Sequence, residues 1–322
     1  MNVSVVVPVY HAEGTLDRLV QRIKGSLSSA AVEFELILVN DGSSDQSWAM
    51  IQRLSAENRW VRGINLMRNF GQHNALLCGL RAARYDVLVT MDDDLQHPPE
   101  EIPRLIEELR RGADVVYGKP EREQHGLWRN LASRATKLAM ERMIGVTRAR
   151  DISSFRAFHT QLRDGFASFQ SPFVSIDVLL TWSTKNFAAV EVRRERREVG
   201  KSNYTAWKLI AGTINVITAF STLPLRMATM LGFFMAFFGT CVMAFVVVNY
   251  LWHGSMPGFP FLASIIAIFS GAQLVALGIM GEYLGRIFVR SMGRPSYIIR
   301  ETSDPVSGPG RETISINEQS KP

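Results

Sequence analysis

The chain has 322 residues, with 36 Lys and Arg against 30 Asp and Glu, for a formal net charge of +6. A charge that small, with no nucleic-acid recognition motif beside it, gives no ground for a nucleic-acid partner. The two cysteines, Cys78 and Cys241, are far apart in apolar surroundings, which excludes a disulfide framework or cysteine metal site and favours a reducing compartment.

Residues 3–9 are strand-like with no basic segment before them, so no secretory signal is expected. Further strand-like runs are Phe34–Val39, Val61–Leu66, Asp86–Met91 and Asp114–Tyr117. Helix-like stretches fall between them, at about 13–28, 44–57, 72–84 and 99–111, with Ser43-Ser44-Asp45 as an N-cap cluster for the second. This alternation predicts an α/β fold with a doubly wound, mostly parallel sheet. Residues 121–205 are less regular. They carry Arg122, Arg129, Arg134 and Arg156, then a basic run from Arg193 to Lys201, and the alternation over 190–199 suggests a strand. Thr205–Ser221 reads as an amphipathic helix, lying either in a membrane interface or against a core.

From Met227 to Gly281 there is no Asp, Glu, Lys or Arg. A spanning helix needs about 20 apolar residues, so this stretch fits two spans, about 227–251 and 261–284, broken by the turn-forming His253–Pro260 segment. The alternative is a buried helical hairpin of a soluble protein. Arginines and lysines flank both outer ends, whereas the connecting loop carries only His253. The positive-inside rule then puts both termini in the cytoplasm, as for a multi-pass membrane protein. The expected organisation is a catalytic domain at 1–204, a juxtamembrane helix at 205–226 and a hairpin at 227–285. A cytoplasmic tail follows at 286–322, disordered from about 303, where Ser, Pro, Gly and Glu dominate.

Unusual residues gather where the strands end, the side on which such sheets bind ligands. Pro8-Val9-Tyr10 ends the first strand, Asn40-Asp41-Gly42-Ser43 the second, Arg68–His73 follows the third, and Asp92-Asp93-Asp94-Leu95-Gln96 ends the fourth. Three adjacent acids repel one another unless a cation lies between them. Carboxylate oxygens suit Mg²⁺ or Mn²⁺, which usually also hold substrate phosphates. An acidic, solvated turn is the plainer reading of the triplet. No G-x-G-x-x-G follows the first strand and no P-loop pattern occurs.

Together these clusters resemble glycosyltransferase family 2 with its GT-A domain, and within it the polyprenyl-phosphate branch. The segments that carry the likeness are Val5–Tyr10, Asn40–Asp45, Arg68–His73, Asp92–Glu100, Phe155-Arg156-Ala157, Gly200-Lys201-Ser202, Pro224-Leu225-Arg226 and Gly281–Arg286. The resemblance implies a Rossmann-like GT-A domain followed by a transmembrane hairpin. It implies an inverting transfer of a sugar from a nucleotide donor, a UDP-sugar, to undecaprenyl or another polyprenyl phosphate at the lipid bilayer. Pro8, Tyr10, Glu13, Asp41, Asp92 and Asp93 would line the nucleotide-sugar pocket. Asp92, Asp94 and Gln96 would be the catalytic and metal-binding set, with Mg²⁺ or Mn²⁺ as cofactor. Arg122, Arg129, Arg156, Arg197, Lys201 and Ser202 would hold phosphates or the acceptor.

The chain departs from the pattern twice. Asn203 stands where relatives have Lys after Gly-x-Ser, which leaves Lys201 as the alternative. Ser154 stands where some relatives have an acid before Phe-Arg; the nearest acid is Asp151, whose role as a base stays open. Two other functions remain in view: a processive polysaccharide synthase, which would carry Gln-x-x-Arg-Trp and more spans, and a scaffold that only binds a sugar nucleotide. Homo-oligomerisation is left open.

Overall fold

A computed structural model describes residues 1–29, 33–120, 152–193, 195, 222–254 and 258–303. The valine-rich start forms β1 (Val3–Val9), every residue of which is buried. Continuous burial on both faces is what a central parallel strand requires. There follow α1 (Leu16–Ser29), β2 (Phe34–Asn40), α2 (Ser47–Glu57), β3 (Val61–Leu66), α3 (Gln72–Ala82) and β4 (Val87–Thr90). A 3₁₀ turn at Pro99–Glu101 leads into α4 (Ile102–Arg110) and then β5 (Val115–Pro120). After Ile152 come β6 (Arg156–His159), a 3₁₀ segment (Thr160–Phe166), α5 (Ile176–Ser183) and β7 (Phe187–Val192).

The strands make one sheet in the order β7-β5-β6-β4-β1-β2-β3, closed at its edge by β8 (Ile299–Ser303). β1 lies parallel to β2 and β4, β2 to β3, and β5 to β7, whereas β6 and β8 are antiparallel to their neighbours. The expected mostly parallel α/β sheet is therefore present. Side chains alternate across it. Val3, Val5, Val7 and Val9 pack with α1, α2 and α4, while Val6, Ile37 and Val39 pack with α3 and α5 on the other face. Pro8 lies past Val6–Thr90, the last β1–β4 pair, where a missing N–H disturbs no ladder on that side.

Two long helices follow, α6 (Leu223–His253) and α7 (Phe259–Ser291). Both contain a stretch long and apolar enough to cross a membrane, and neither stretch is buried against the protein. Phe233, Phe237, Phe245, Leu274, Leu277 and Leu284 stand exposed. A soluble core hairpin would cover such side chains, so the soluble alternative fails on burial. Gly254 ends α6 in the left-handed region at φ 63°, its N–H donating to the Tyr250 carbonyl at 2.9 Å.

The segment after α7 differs from expectation. Residues 299–303 belong to the stretch read as a tail, yet they pair with β3 from Gly63↔Ser303 to Leu66↔Ile299. The chain thus leaves the sheet domain before α6 and re-enters it after α7. The Ser43-Ser44-Asp45 cluster also departs from its expected role. α2 starts at Ser47 with Gln46 as its cap residue, and only Asp45 serves that end, accepting the Ser47 N–H at 3.1 Å. Ser43 and Ser44 bond to His11 instead, at 3.1 and 3.0 Å.

Candidate active site

The rim at the carboxyl ends of β1 to β4 brings four loops together. Asp41 ties two of them. Its carboxylate accepts the N–H groups of Phe70 and Gly71 at 2.7 and 2.9 Å, and the residue is 3% exposed. Burial raises its pKa, against the pull of those two donors. Gly42 follows in the left-handed region at φ 68°, where a Cβ would lie 2.5 Å from the backbone of Arg68 and Asn69. Only glycine lets these loops pass so closely.

The first loop is zipped onto the second. His11 Nε2 accepts the Ser44 N–H at 3.2 Å, the Ser47 hydroxyl accepts the Ala12 N–H at 3.0 Å, and Glu13 accepts the Gln46 N–H at 2.8 Å. The Tyr10 ring stacks on His11 at 4.1 Å and is 49% exposed, an aromatic face left open at the rim. Pro8 is buried within β1.

The three acids diverge. Asp92 accepts from Gln72 Nε2 and from the Ser154 hydroxyl, both at 2.6 Å. Asp93 accepts the Tyr10 N–H at 3.0 Å. Asp94 accepts the Gln96 N–H at 3.1 Å and its Nε2 at 2.7 Å. Leu95, at φ 57°, bends the chain so that Gln96 turns back on Asp94. Ser154 supports Asp92. It is placed by Thr90, whose hydroxyl donates to its carbonyl at 2.8 Å.

Among the described residues no three His, Cys, Asp or Glu side chains form a ready cage for a metal. The turn supplies carboxylate and amide oxygens, a hard set fitting a cation held by one or two protein carboxylates and completed by substrate phosphates. The Asp93 carboxyl is pushed up to about 7, by burial first and then by Asp92 and Asp94. That is the imbalance a cation at the turn would relieve. The residues therefore fit a divalent ion.

One predicted residue lies elsewhere. Arg156, expected among the phosphate ligands, is 2% exposed and ion-pairs with Asp177 of α5, which also accepts the Tyr117 hydroxyl at 3.0 Å. Strand alternation turns its charge away from Phe155 and Ala157, onto the face where α5 packs and Asp177 meets it. His73 is half-buried; its pKa is lowered by desolvation first, and its Nδ1 accepts the Ile176 N–H at 3.4 Å. Asp151, Arg122, Arg129, Arg197, Lys201, Ser202 and the helix expected at 205–221 lie outside the described residues.

The start of the basic run is nevertheless fixed. The Glu195 N–H donates to the Gln96 carbonyl at 2.9 Å, beside the acidic turn. Arg22 of α1 clasps Glu195 at 2.8 Å and Glu100 at 2.7 Å. Arg22 is the largest influence holding both carboxyls below their ordinary values. A depressed folded-state pKa gives stability that is present above the unfolded value, about 4.3, and lost as pH falls through the folded one. The melting temperatures of parent and Arg22→Met protein are therefore expected to differ at neutral pH and to converge below about pH 4. Thermal melts in detergent at both pH values measure this; a gap that persists in acid would rule the clasp out.

A doubly wound sheet with an acidic turn on its rim is joined in this chain to two exposed helices long and apolar enough to cross a membrane. The chain belongs to glycosyl transferase family 2, whose model matches residues 4–170, and it is a glycosyltransferase. It is 34% identical over 305 residues to the undecaprenyl-phosphate 4-deoxy-4-formamido-L-arabinose transferase of Pseudomonas fluorescens, covering 93% of this chain and 89% of that protein. The enzyme of the same name from Pseudomonas aeruginosa is 34% identical over 303 residues, covering 92% and 89%. Among solved structures, glucosyl-3-phosphoglycerate synthase from Mycobacterium tuberculosis, in complex with phosphoglyceric acid, matches at 22% identity and a TM-score of 0.49. That match covers 67% of this chain and 78% of the other.

Proposed function

We propose that the protein transfers a sugar from a nucleoside diphosphate, a UDP-sugar, to undecaprenyl or another polyprenyl phosphate at the cytoplasmic face of the inner membrane. The observation that carries this reading is the strand β8. It joins the acidic rim and the two exposed apolar helices into one folded unit, because the chain that returns from α7 is part of the sheet bearing the rim. A water-soluble donor and a lipid-borne acceptor need that union. Similarity to undecaprenyl-phosphate transferases along nearly the whole chain supports it. The return of the chain to its starting domain also supports a two-span hairpin with both ends on the cytoplasmic side.

In this reading Tyr10 offers its exposed ring to the donor base, and Pro8, Glu13 and Asp41 shape the loops around it. Asp92, Asp94 and Gln96 would hold Mg²⁺ or Mn²⁺, and Asp93 lies beside them in the same turn. When bound, that ion offsets charge on the departing diphosphate. Gln72 and Ser154 keep the Asp92 carboxylate aimed at the rim, and Tyr10 fixes Asp93 through its backbone. Arg122, Arg129, Arg197, Lys201 and Ser202 draw the acceptor phosphate in, as planar guanidinium forks suit phosphate oxygens. A phosphate oxygen bonds to the anomeric carbon as the carbon–oxygen bond to the diphosphate breaks, inverting the centre. A phosphate monoester already carries about −1.5 to −2 charge at neutral pH, so no general base is required and Asp151 need not act as one.

The test is incubation of the purified protein with undecaprenyl phosphate, Mg²⁺ and a panel of UDP- and GDP-sugars, followed by lipid mass spectrometry. One UDP-sugar is expected to yield a polyprenyl-phosphate-linked sugar, and excess chelator to suppress it. Absence of any lipid-linked product across the panel would refute the reading.

A further inference from the structure

Asn40, Asn65 and Glu301 face one another on three adjacent strands, in the registers Asn40↔Asn65 and Asn65↔Glu301. Residues opposite each other in a sheet project from the same face, and here their side chains bond in series. Asn65 Nδ2 donates to Glu301 Oε1 at 2.9 Å, and Asn40 Nδ2 donates to Asn65 Oδ1 at 2.8 Å. The Ser43 hydroxyl donates to Asn40 Oδ1 at 2.6 Å and accepts the His11 N–H at 3.1 Å. Asn40 is 1% exposed and Asn65 7%, so the middle of this row is shut off from water. The row ends at the Tyr10–His11 pair, whose backbone also reaches Asp93.

The polarity of the row runs one way. A side-chain amide has a donor end and an acceptor end that are nearly the same shape. Asn65 could present either to Asn40 unless something outside decides. A carboxylate only accepts, so Glu301 turns the Asn65 amide group toward itself and presents Asn65 Oδ1 to Asn40, whose own Oδ1 accepts both the Ser43 hydroxyl and, at 3.4 Å, the Ser43 N–H. The same returning segment pins the next loop. The Met67 N–H donates to the Ile298 carbonyl at 2.9 Å, and Arg300 Nη2 donates to the Met67 carbonyl at 3.1 Å. Met67 leads into the Phe70–Gly71 backbone that holds Asp41.

We infer that Glu301 and Asn65 are positioning residues for the donor site, and that the strand returning from the second apolar helix orders the loops that receive the nucleotide. This rests on the donor-site reading given above. It means that the helix pair does more than anchor the enzyme: the strand that follows it is a wall of the site's foundation.

The test uses the full chain in detergent and measures UDP and GDP binding with Mg²⁺ by calorimetry, then donor KM and kcat. Glu301→Lys replaces the acceptor with a donor at an exposed position on the edge strand, and a thermal melt of the variant accompanies the binding measurement. Loss of one such bond is expected to weaken nucleotide binding and raise donor KM by about fivefold or more, with kcat changed less than about twofold. Asn65→Ala is expected to do the same. Glu301→Gln keeps an acceptor oxygen and should restore parental affinity. A parent that binds UDP or GDP while Glu301→Lys and Asn65→Ala bind equally well would overturn this inference alone. Equal losses in Glu301→Gln and Glu301→Lys would also overturn it, since the acceptor would then not be what matters. A parent that binds neither nucleotide would overturn the donor-site reading and this inference with it.

Discussion

Asp92→Ala and Asp94→Ala proteins are expected to lose sugar transfer by at least about 10²–10³-fold while still folding and entering membranes. The two carboxylates sit at the rim, half-buried, and belong to neither face of the apolar core. Asp92 is held by Gln72 and Ser154, two polar side chains that water can satisfy once the carboxylate is gone. Removing it therefore strands no buried group, and the thermal melt should stay near the parent's. Activity is a different matter: in the proposed reading charge develops on the diphosphate as the sugar leaves, and each variant would remove one of the two carboxylates assigned to the offsetting ion. Asp92→Asn keeps the shape and both neighbours but not the charge, and it is expected to fail as badly as alanine. Product formed from undecaprenyl phosphate and the donor, followed by mass spectrometry alongside a melt of each variant, reads both halves. Parental turnover in both alanine variants would remove the metal-binding role from this turn.

The same residues explain how far the amino-acid pattern reaches. The strands β1, β2 and β3 stand within a residue of their expected bounds, because Val3–Val9 and Phe34–Asn40 are mostly apolar and Val61–Leu66 sets Val61, Ile64 and Leu66 among polar residues, each closed by turn-forming residues. The acidic turn was legible for a local reason, three like charges after such a run. β6 was not: Arg-Ala-Phe-His is four residues long and owes its burial to an ion pair with a residue 21 positions on. β8 carries Ile-Arg-Glu-Thr-Ser, with no apolar alternation, and pairs because β3 offers an open edge. Nothing within those five residues announces a strand. The row from Asn40 to Glu301 was hidden for the same reason, since it exists only once strands distant in sequence are set in register. Ser43 and Ser44 were misread as a cap because their partner, His11, lies 32 and 33 residues away.

Asp177→Ala is expected to be the most destabilising single change away from the rim, at about 3–5 kcal/mol. Arg156 is almost wholly buried; its Nη1 bonds to Asp177, and its Nε finds no hydrogen-bond partner among the described residues. Tyr117 spends its hydroxyl on the same carboxylate and lies with its ring 5.9 Å from the guanidinium. Removing Asp177 alone leaves a buried positive charge and the Tyr117 hydroxyl without their acceptor, whereas removing both charges leaves only that hydroxyl unmet. Arg156→Met with Asp177→Leu should therefore recover most of the stability lost in Asp177→Ala. This pair of variants also decides what Arg156 is for. A guanidinium that gripped phosphate would cost transfer in the double variant however well it folded. A guanidinium that only braces β6 against α5 leaves acceptor KM near the parent's once folding is restored, and that is the expected result. Thermal melts establish the recovery, and acceptor KM measured on the double variant reads the role; a KM raised tenfold or more, about 1.4 kcal/mol of lost binding, in a protein of parental stability would return Arg156 to the phosphate site.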